Sequence, residues 1–149
     1  MAIEFKVDES KKIKGLFVIE PTVNEDIRGN IWTSFIKKEI ESLIPSNISF
    51  IHDKFSESKQ NVLRGIHGDN KSWKLVTCIF GAIDQVIVDC RQDSPTFYEW
   101  EKYEISSDRR LLVLLPPGMG NAYYVKSKTA LYHYKLAYIG EYFDVEDQF

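Results

Sequence analysis

Residues 61–89, NVLRGIHGDNKSWKLVTCIFGAIDQVIVD, bring together a base, a cation and a carboxylate: His67, Lys74 and Asp84. An imidazole with an ordinary pKa of about 6.5 is a proton acceptor at neutral pH. An ammonium group can stabilise an oxygen that gains negative charge, and a carboxylate can fix that ammonium in place. Apolar alternation divides the stretch into strands over 62–67, 73–80 and 83–90, separated by the polar turn Gly68-Asp69-Asn70 and a turn near Gly81. Side chains alternate faces along a strand, so Lys74 shares a face with Val76, Cys78 and Phe80, and Asp84 with Val86, Val88 and Cys90. Alone on an apolar face, each charge would be costly, so the pattern predicts that Lys74 and Asp84 meet near the mouth of a cavity. His67 closes the first strand on the face of Leu63.

The rest of the chain reads as a scaffold for these groups. Ile3, Phe5 and Val7 alternate with polar residues, and 16–20 forms a short strand before Pro21, which suggests early or edge strands. After a turn at 26–29, Ile36, Ile40, Leu43 and Ile44 recur at helical spacing in TSFIKKEIESLI. Thr33 or Ser34 is the expected cap and Pro45 the stop. Short strands broken by turn residues follow from Ile48 onward. The continuous apolar run 111–115 fits a strand covered on both faces, Pro116-Pro117-Gly118 forces a turn, and strands are expected over 122–125 and 130–136. No repeat or low-complexity linker divides the chain. The expectation is one all-β domain over residues 1–149, an antiparallel sandwich or barrel with one short peripheral helix.

With 149 residues and 44% apolar content, the chain is sized for one domain with a real core. Its net charge of −3 and lack of a basic stripe give no reason to expect nucleic acid or a membrane surface as partner. Cys78 and Cys90 lie in predicted buried strands without CxxC spacing, which favours free core thiols in a reducing compartment. The polar start MAIEFKVDESKK and the lack of a long apolar run predict no signal peptide, no membrane span and a cytoplasmic soluble protein.

Several ordered motifs carry a family resemblance: PTVNEDIRGNIWTSF, FIHDKFSES, VLRGIH, KLV, GAIDQVIVDCR, SPTFYEW, LLPPGMGNAYYV and LYHYK. Together they resemble the nucleotide-sugar 3,5-epimerases of the dTDP-4-dehydrorhamnose 3,5-epimerase type over nearly the whole chain. The resemblance implies a cupin-type jelly-roll β-barrel, a homodimer and a nucleotide-diphosphate sugar as substrate. Inverting a carbon beside a ketone needs a base, a group to hold the enolate oxygen and an acid on the opposite face. By resemblance His67 is the base, Lys74 and Asp84 are the pair near the 4-keto oxygen, and Tyr134 is the acid. Without the resemblance, a core histidine is the favoured reading of His67, Lys74 and Asp84 read equally as a structural buried ion pair, and core packing beside Tyr132 and Leu136 rivals the acid role of Tyr134. Arg28 and Arg64 match the arginines that clasp the diphosphate, a task suited to a planar guanidinium. Ideal alternation puts Arg64 and His67 on opposite faces, so a bulge or strand end must reunite them. His52, Ser56 and Asn121 fall at substrate-contacting or base-stacking positions, Tyr138 is the alternative to Tyr134 or stacks on a base, and His133 on the face opposite Tyr134 reads as structural.

Two departures bear on activity. Asn121 stands where many relatives have histidine, and asparagine cannot shuttle a proton at neutral pH. Relatives run on past DVEDQF, and the resemblance implies that this later segment supplies the aspartate orienting the histidine. Asp53, Asp69 or a partner subunit would have to substitute. The rival reading is therefore a nucleotide-sugar binding cupin with little or no turnover. A metal-dependent cupin is disfavoured because Asp69 and Asn121 occupy positions where such proteins place imidazoles. No metal or cofactor is expected.

Overall fold

The structure, a computed structural model, describes residues 4–142 and 148–149. In chain order the strands are β1 (Phe5–Glu9), β2 (Phe17–Pro21), β3 (Val23–Asp26) and β4 (Gly29–Trp32). Helix α1 (Lys37–Ile40) follows, then β5 (Phe50–Lys59), β6 (Leu63–His67), β7 (Trp73–Phe80) and β8 (Ala82–Asp89). The last are β9 (Trp100–Ser106), β10 (Leu112–Leu115), β11 (Met119–Val125) and β12 (Thr129–Ala137). They form a six-stranded sheet ordered β1-β2-β10-β7-β12-β5, a four-stranded sheet ordered β6-β11-β8-β9, and the separate hairpin β3-β4, all antiparallel.

The two larger sheets face each other. Val76, Cys78, Val113, Leu115 and Tyr132 of one pack with Ile83, Ile87, Ile105, Tyr123 and Val125 of the other in one buried cluster. The unbroken apolar run behaves as expected: all four residues of β10 are buried. Val113 and Leu115 face the cluster between the sheets, while Leu112 and Leu114 pack behind the sheet against Ile40 and Ile44. Burying side chains of this size stabilises the fold by about 1.5–3 kcal/mol each.

The helical segment is shorter than its periodicity suggests. Helix α1 has only four residues, and a 3-10 turn, Glu41–Leu43, continues it. Neither Thr33 nor Ser34 caps it, because the chain is still extended at Ile36 (φ −129°, ψ 117°), which takes the N-cap position without a side-chain hydrogen bond. The spacing of Ile40 and Ile44 had registered the packing against the sheet correctly, while the flanking residues follow the preceding extended chain. No helix among the described residues is long and apolar enough to cross a membrane.

Candidate active site

The site lies between the sheets, where β6 and β11 of the smaller sheet approach β5, β7 and β12 of the larger. Strand β6 supplies Arg64 and His67. It pairs with β11 through His67 opposite Asn121 and Arg64 opposite Tyr123, so two residues of β6, Gly65 and Ile66, stand against Ala122 alone. This irregularity is the bulge that alternation required, and it brings Arg64 and His67 to line the same cavity of about 240 Å³. Gly65 permits it: its φ is 120°, and a Cβ there would come within 2.6 Å of the Ala122 Cβ. Arg64 is held by donating from Nε to Ser58 Oγ at 2.7 Å.

Lys74 enters from β7, its side chain 13% exposed, but its carboxylate is Asp69, with Nζ 3.3 Å from Oδ2. The other Asp69 oxygen accepts the backbone N–H groups of Lys71 (2.9 Å) and Ser72 (2.5 Å), which fastens the turn between β6 and β7. The expected pairing of Lys74 with Asp84 is not formed. Along β8 the inward residues are Ile83, Gln85, Ile87 and Asp89, so Asp84 faces outward and meets Lys126 at 3.4 Å. Both faces of β8 carry branched apolar residues, so hydrophobicity alone could not tell which face was inside.

Tyr134 comes from β12, opposite Lys54 of β5. It lines the same cavity as His67 and Lys74. Burial above all, aided by neighbouring Tyr123 and opposed by Arg64, pushes its phenol well above the usual range, so Tyr134 keeps its proton at neutral pH. Lys54 stands over its ring, 4.8 Å from the centroid, and donates to Tyr142 Oη at 2.9 Å. Beneath them Tyr123 and Tyr132 stack at 3.9 Å, and Tyr123 donates to Ser56 Oγ at 3.0 Å. Phe149 closes one side, exchanging backbone hydrogen bonds of 2.8 and 3.0 Å with Gly68. The cavity therefore offers an imidazole, two primary ammonium groups, a guanidinium and a protonated phenol to one small ligand. This set suits proton transfer at an anionic substrate.

A sequence profile of dTDP-4-dehydrorhamnose 3,5-epimerase matches residues 10–148. The dTDP-4-dehydrorhamnose 3,5-epimerase of Salmonella typhimurium is 36% identical over 126 residues, which are 83% of this chain and 69% of that protein. The chain belongs to the dTDP-4-dehydrorhamnose 3,5-epimerase family. Members of this family are epimerases, hence isomerases. Among solved structures, a dTDP-6-deoxy-D-glucose-3,5-epimerase from Legionella pneumophila, in complex with dTDP-4-keto-L-rhamnose, superposes with a TM-score of 0.86 at 32% identity, covering 98% of this chain and 77% of that one. The Bacillus anthracis dTDP-4-dehydrorhamnose 3,5-epimerase with TDP and PPi bound gives 0.84 at 32% identity, covering 97% and 82%. The all-β architecture is thus the cupin-type jelly roll of these epimerases.

The remaining candidates divide between the epimerase-like cavity and other places. Asn121 lines it, buried at 6% exposure, and Ser56 lines an adjoining cleft that shares Lys54, Arg64, His67 and Tyr134. His52 and Tyr138 meet each other instead, Nδ1 to Oη at 3.0 Å, and His52 also makes an edge contact with Tyr142, a lining residue, at 4.7 Å. Arg28 sits at the tip of the β3-β4 hairpin, its side chain 86% exposed and paired with Asp26 at 2.5 Å, outside the cavity lining. His133 lies outside the cavity lining, bonded to Asp53 at 2.8 Å and stacked on Phe55. Asp53 is also engaged by Lys135 at 2.8 Å, so neither Asp53 nor Asp69 orients His67. Among the described residues no carboxylate contacts the His67 ring, and no three His, Cys, Asp or Glu side chains are placed to hold a metal. Sequence reasoning missed Asp69 as the partner of Lys74, and missed Lys54 and Gln85. A polar residue between two isoleucines, as Gln85 is between Ile83 and Ile87, was the available signal for an inward polar group.

Proposed function

We propose that this chain is a metal-independent epimerase that inverts C3, C5 or both in a nucleotide-diphosphate-linked 4-keto-6-deoxy sugar, for surface-polysaccharide synthesis in the cytoplasm. The observation that carries this reading is the convergence of His67, Lys74 and Tyr134 on one cavity. His67 takes the proton from the carbon beside the ketone, and the electron pair passes to the oxygen as an enolate. The Lys74 ammonium, held by Asp69, faces the developing charge. Tyr134 then gives its proton to the opposite face of the same carbon, inverting it; the phenolate regains a proton from solvent, and the imidazolium releases the abstracted proton to solvent. Arg64 binds the diphosphate, while Asn121 and Ser56 contact the sugar.

The chain acts as one domain and as a homodimer, with its N-terminal strands crossing so that Arg28 reaches the partner's substrate. Incubation with dTDP-4-keto-6-deoxyglucose in deuterated water tests the chemistry: deuterium should appear at C3 or C5, and its absence would sink the reading. A second reading draws support from the lack of a carboxylate on the His67 ring among the described residues: a nucleotide-sugar binding protein with little turnover. Tight binding without deuterium uptake would select it.

A further inference from the structure

Under the cavity lies a closed ring of hydrogen bonds made by three neutral side chains, and its direction can be read from one atom. Gln85 is fully buried on the inward face of β8. Its amide nitrogen donates to the backbone carbonyl of Ala122 at 3.0 Å. A carbonyl oxygen only accepts, so the NH2 end of Gln85 must lie on that side. The second hydrogen of that nitrogen goes to Asn121 Oδ1. Gln85 Oε1 is then left to accept from Tyr132 Oη at 2.5 Å. With its oxygen held by Gln85, Asn121 turns Nδ2 the other way. One hydrogen reaches Tyr132 Oη at 3.4 Å, and the other has no partner among the described residues. Asn121 itself lines the cavity.

We propose that Gln85 is a positioning residue that locks the Asn121 carboxamide with an N–H toward the cavity, making it a fixed, uncharged donor for a hydroxyl or carbonyl oxygen of the bound sugar. This rests on the proposed epimerase reading for its ligand, but the lock is a property of the free protein. A buried amide whose every other group is satisfied cannot turn over without leaving the Ala122 carbonyl unpaired. The donor therefore neither titrates near neutral pH nor reorients when substrate arrives, unlike an imidazole in its place.

Side-chain amide spectra of the whole 15N-labelled protein, assigned with Asn121→Asp and Gln85→Glu, test the lock without substrate. Both Gln85 amide protons and one of Asn121 should be protected from exchange with water, and the other Asn121 proton should exchange freely. Equal exchange of the two Asn121 protons would overturn the proposal, whatever the outcome of the deuterium assay on sugar. Turnover supplies a second reading. Asn121→Asp should lower kcat by about 100-fold. In Gln85→Glu the introduced carboxylate, once ionised, only accepts, so Asn121 must rotate and present its oxygen. Turnover of that variant, taken as a ratio to wild type at each pH, should fall about tenfold as pH rises through that ionisation. A uniform loss at every pH would contradict the lock. Tyr132→Phe removes the acceptor of the protected Asn121 proton but keeps the Ala122 and Asn121 bonds of Gln85, so both Asn121 protons should then exchange while both Gln85 protons stay protected, and loss of the Gln85 protection would also contradict the lock. A wild type that incorporates no deuterium condemns the epimerase reading while leaving the amide pattern to stand or fall by itself.

Discussion

The molecule holds two clusters of charged and polar groups between and beside its sheets, and they are built on opposite terms. At the end of β8, Asp89 has no exposed surface, and its carboxylate is saturated. It accepts from Arg91 Nε at 2.9 Å and Nη2 at 3.1 Å, Ser94 Oγ at 2.6 Å, Thr96 Oγ1 at 2.7 Å and the Arg91 backbone. Burial works to raise its pKa, but these donors outweigh burial and hold the carboxyl well below the usual range. Around His67 the arrangement is reversed: cations and a phenol converge on open space, and the imidazole has no bonded carboxylate among the described residues. A finished polar network holds the fold in one shape, whereas an unfinished one leaves bonding capacity for a ligand. The contrast separates the two roles without appeal to residue type, since both clusters use arginine and aspartate.

The contrast can be broken from either side. His67→Asn should cut deuterium uptake by about 10²–10⁴-fold. It should shift stability in urea by no more than about 0.5 kcal/mol, since it removes no bonded partner. Asp89→Asn should do the reverse, costing about 3 kcal/mol in urea unfolding by breaking a buried charge pair, while leaving kcat within about twofold. A kcat collapse in Asp89→Asn at full stability would erase the distinction.

The same cluster sets a pH dependence. Asp89 is depressed in the fold, so its contribution is fully present above the unfolded carboxyl value of about 3.9 and is lost as pH falls through its lower folded value. Unfolding free energies measured from pH 6 down to pH 2 should fall more steeply for wild type than for Asp89→Asn. Parallel curves would mean that the donors around Asp89 do not act on its ionisation.

A smaller effect sharpens the account of Lys74. Asp69→Asn should lower kcat by about tenfold by loosening the ammonium, with little change in KM. Asp84→Asn should leave kcat unchanged, because its carboxylate pairs with Lys126 on the outer face. Equal losses from the two would restore the pairing that alternation suggested.

Much of this was legible in the sequence. The strands of the core were marked by alternation and by the unbroken run of β10, and the bulge in β6 was demanded by wanting Arg64 and His67 on one face. What escaped had physical causes. Strand β8 is apolar on both faces, so Asp84 was assigned inward and Gln85 overlooked by a shift of one residue, which inverts every side chain. Asp69 reads as a turn former, and only the approach of β7 to that turn reveals it as the anchor of Lys74. Arg28 and His52 were assigned to the substrate by resemblance alone, and the structure pairs them instead with Asp26 at a hairpin tip and with Tyr138.

Replacing Tyr134 with phenylalanine and following both deuterium uptake and inversion by NMR tests the central claim most directly, because it separates removal of the proton from its return to the opposite face. If His67 and Tyr134 act across one cavity, Tyr134→Phe should still wash deuterium into the sugar while inversion falls by about 100-fold or more. Inversion at the wild-type rate in that variant would show that the phenol is not the acid, and the account would fail at its centre.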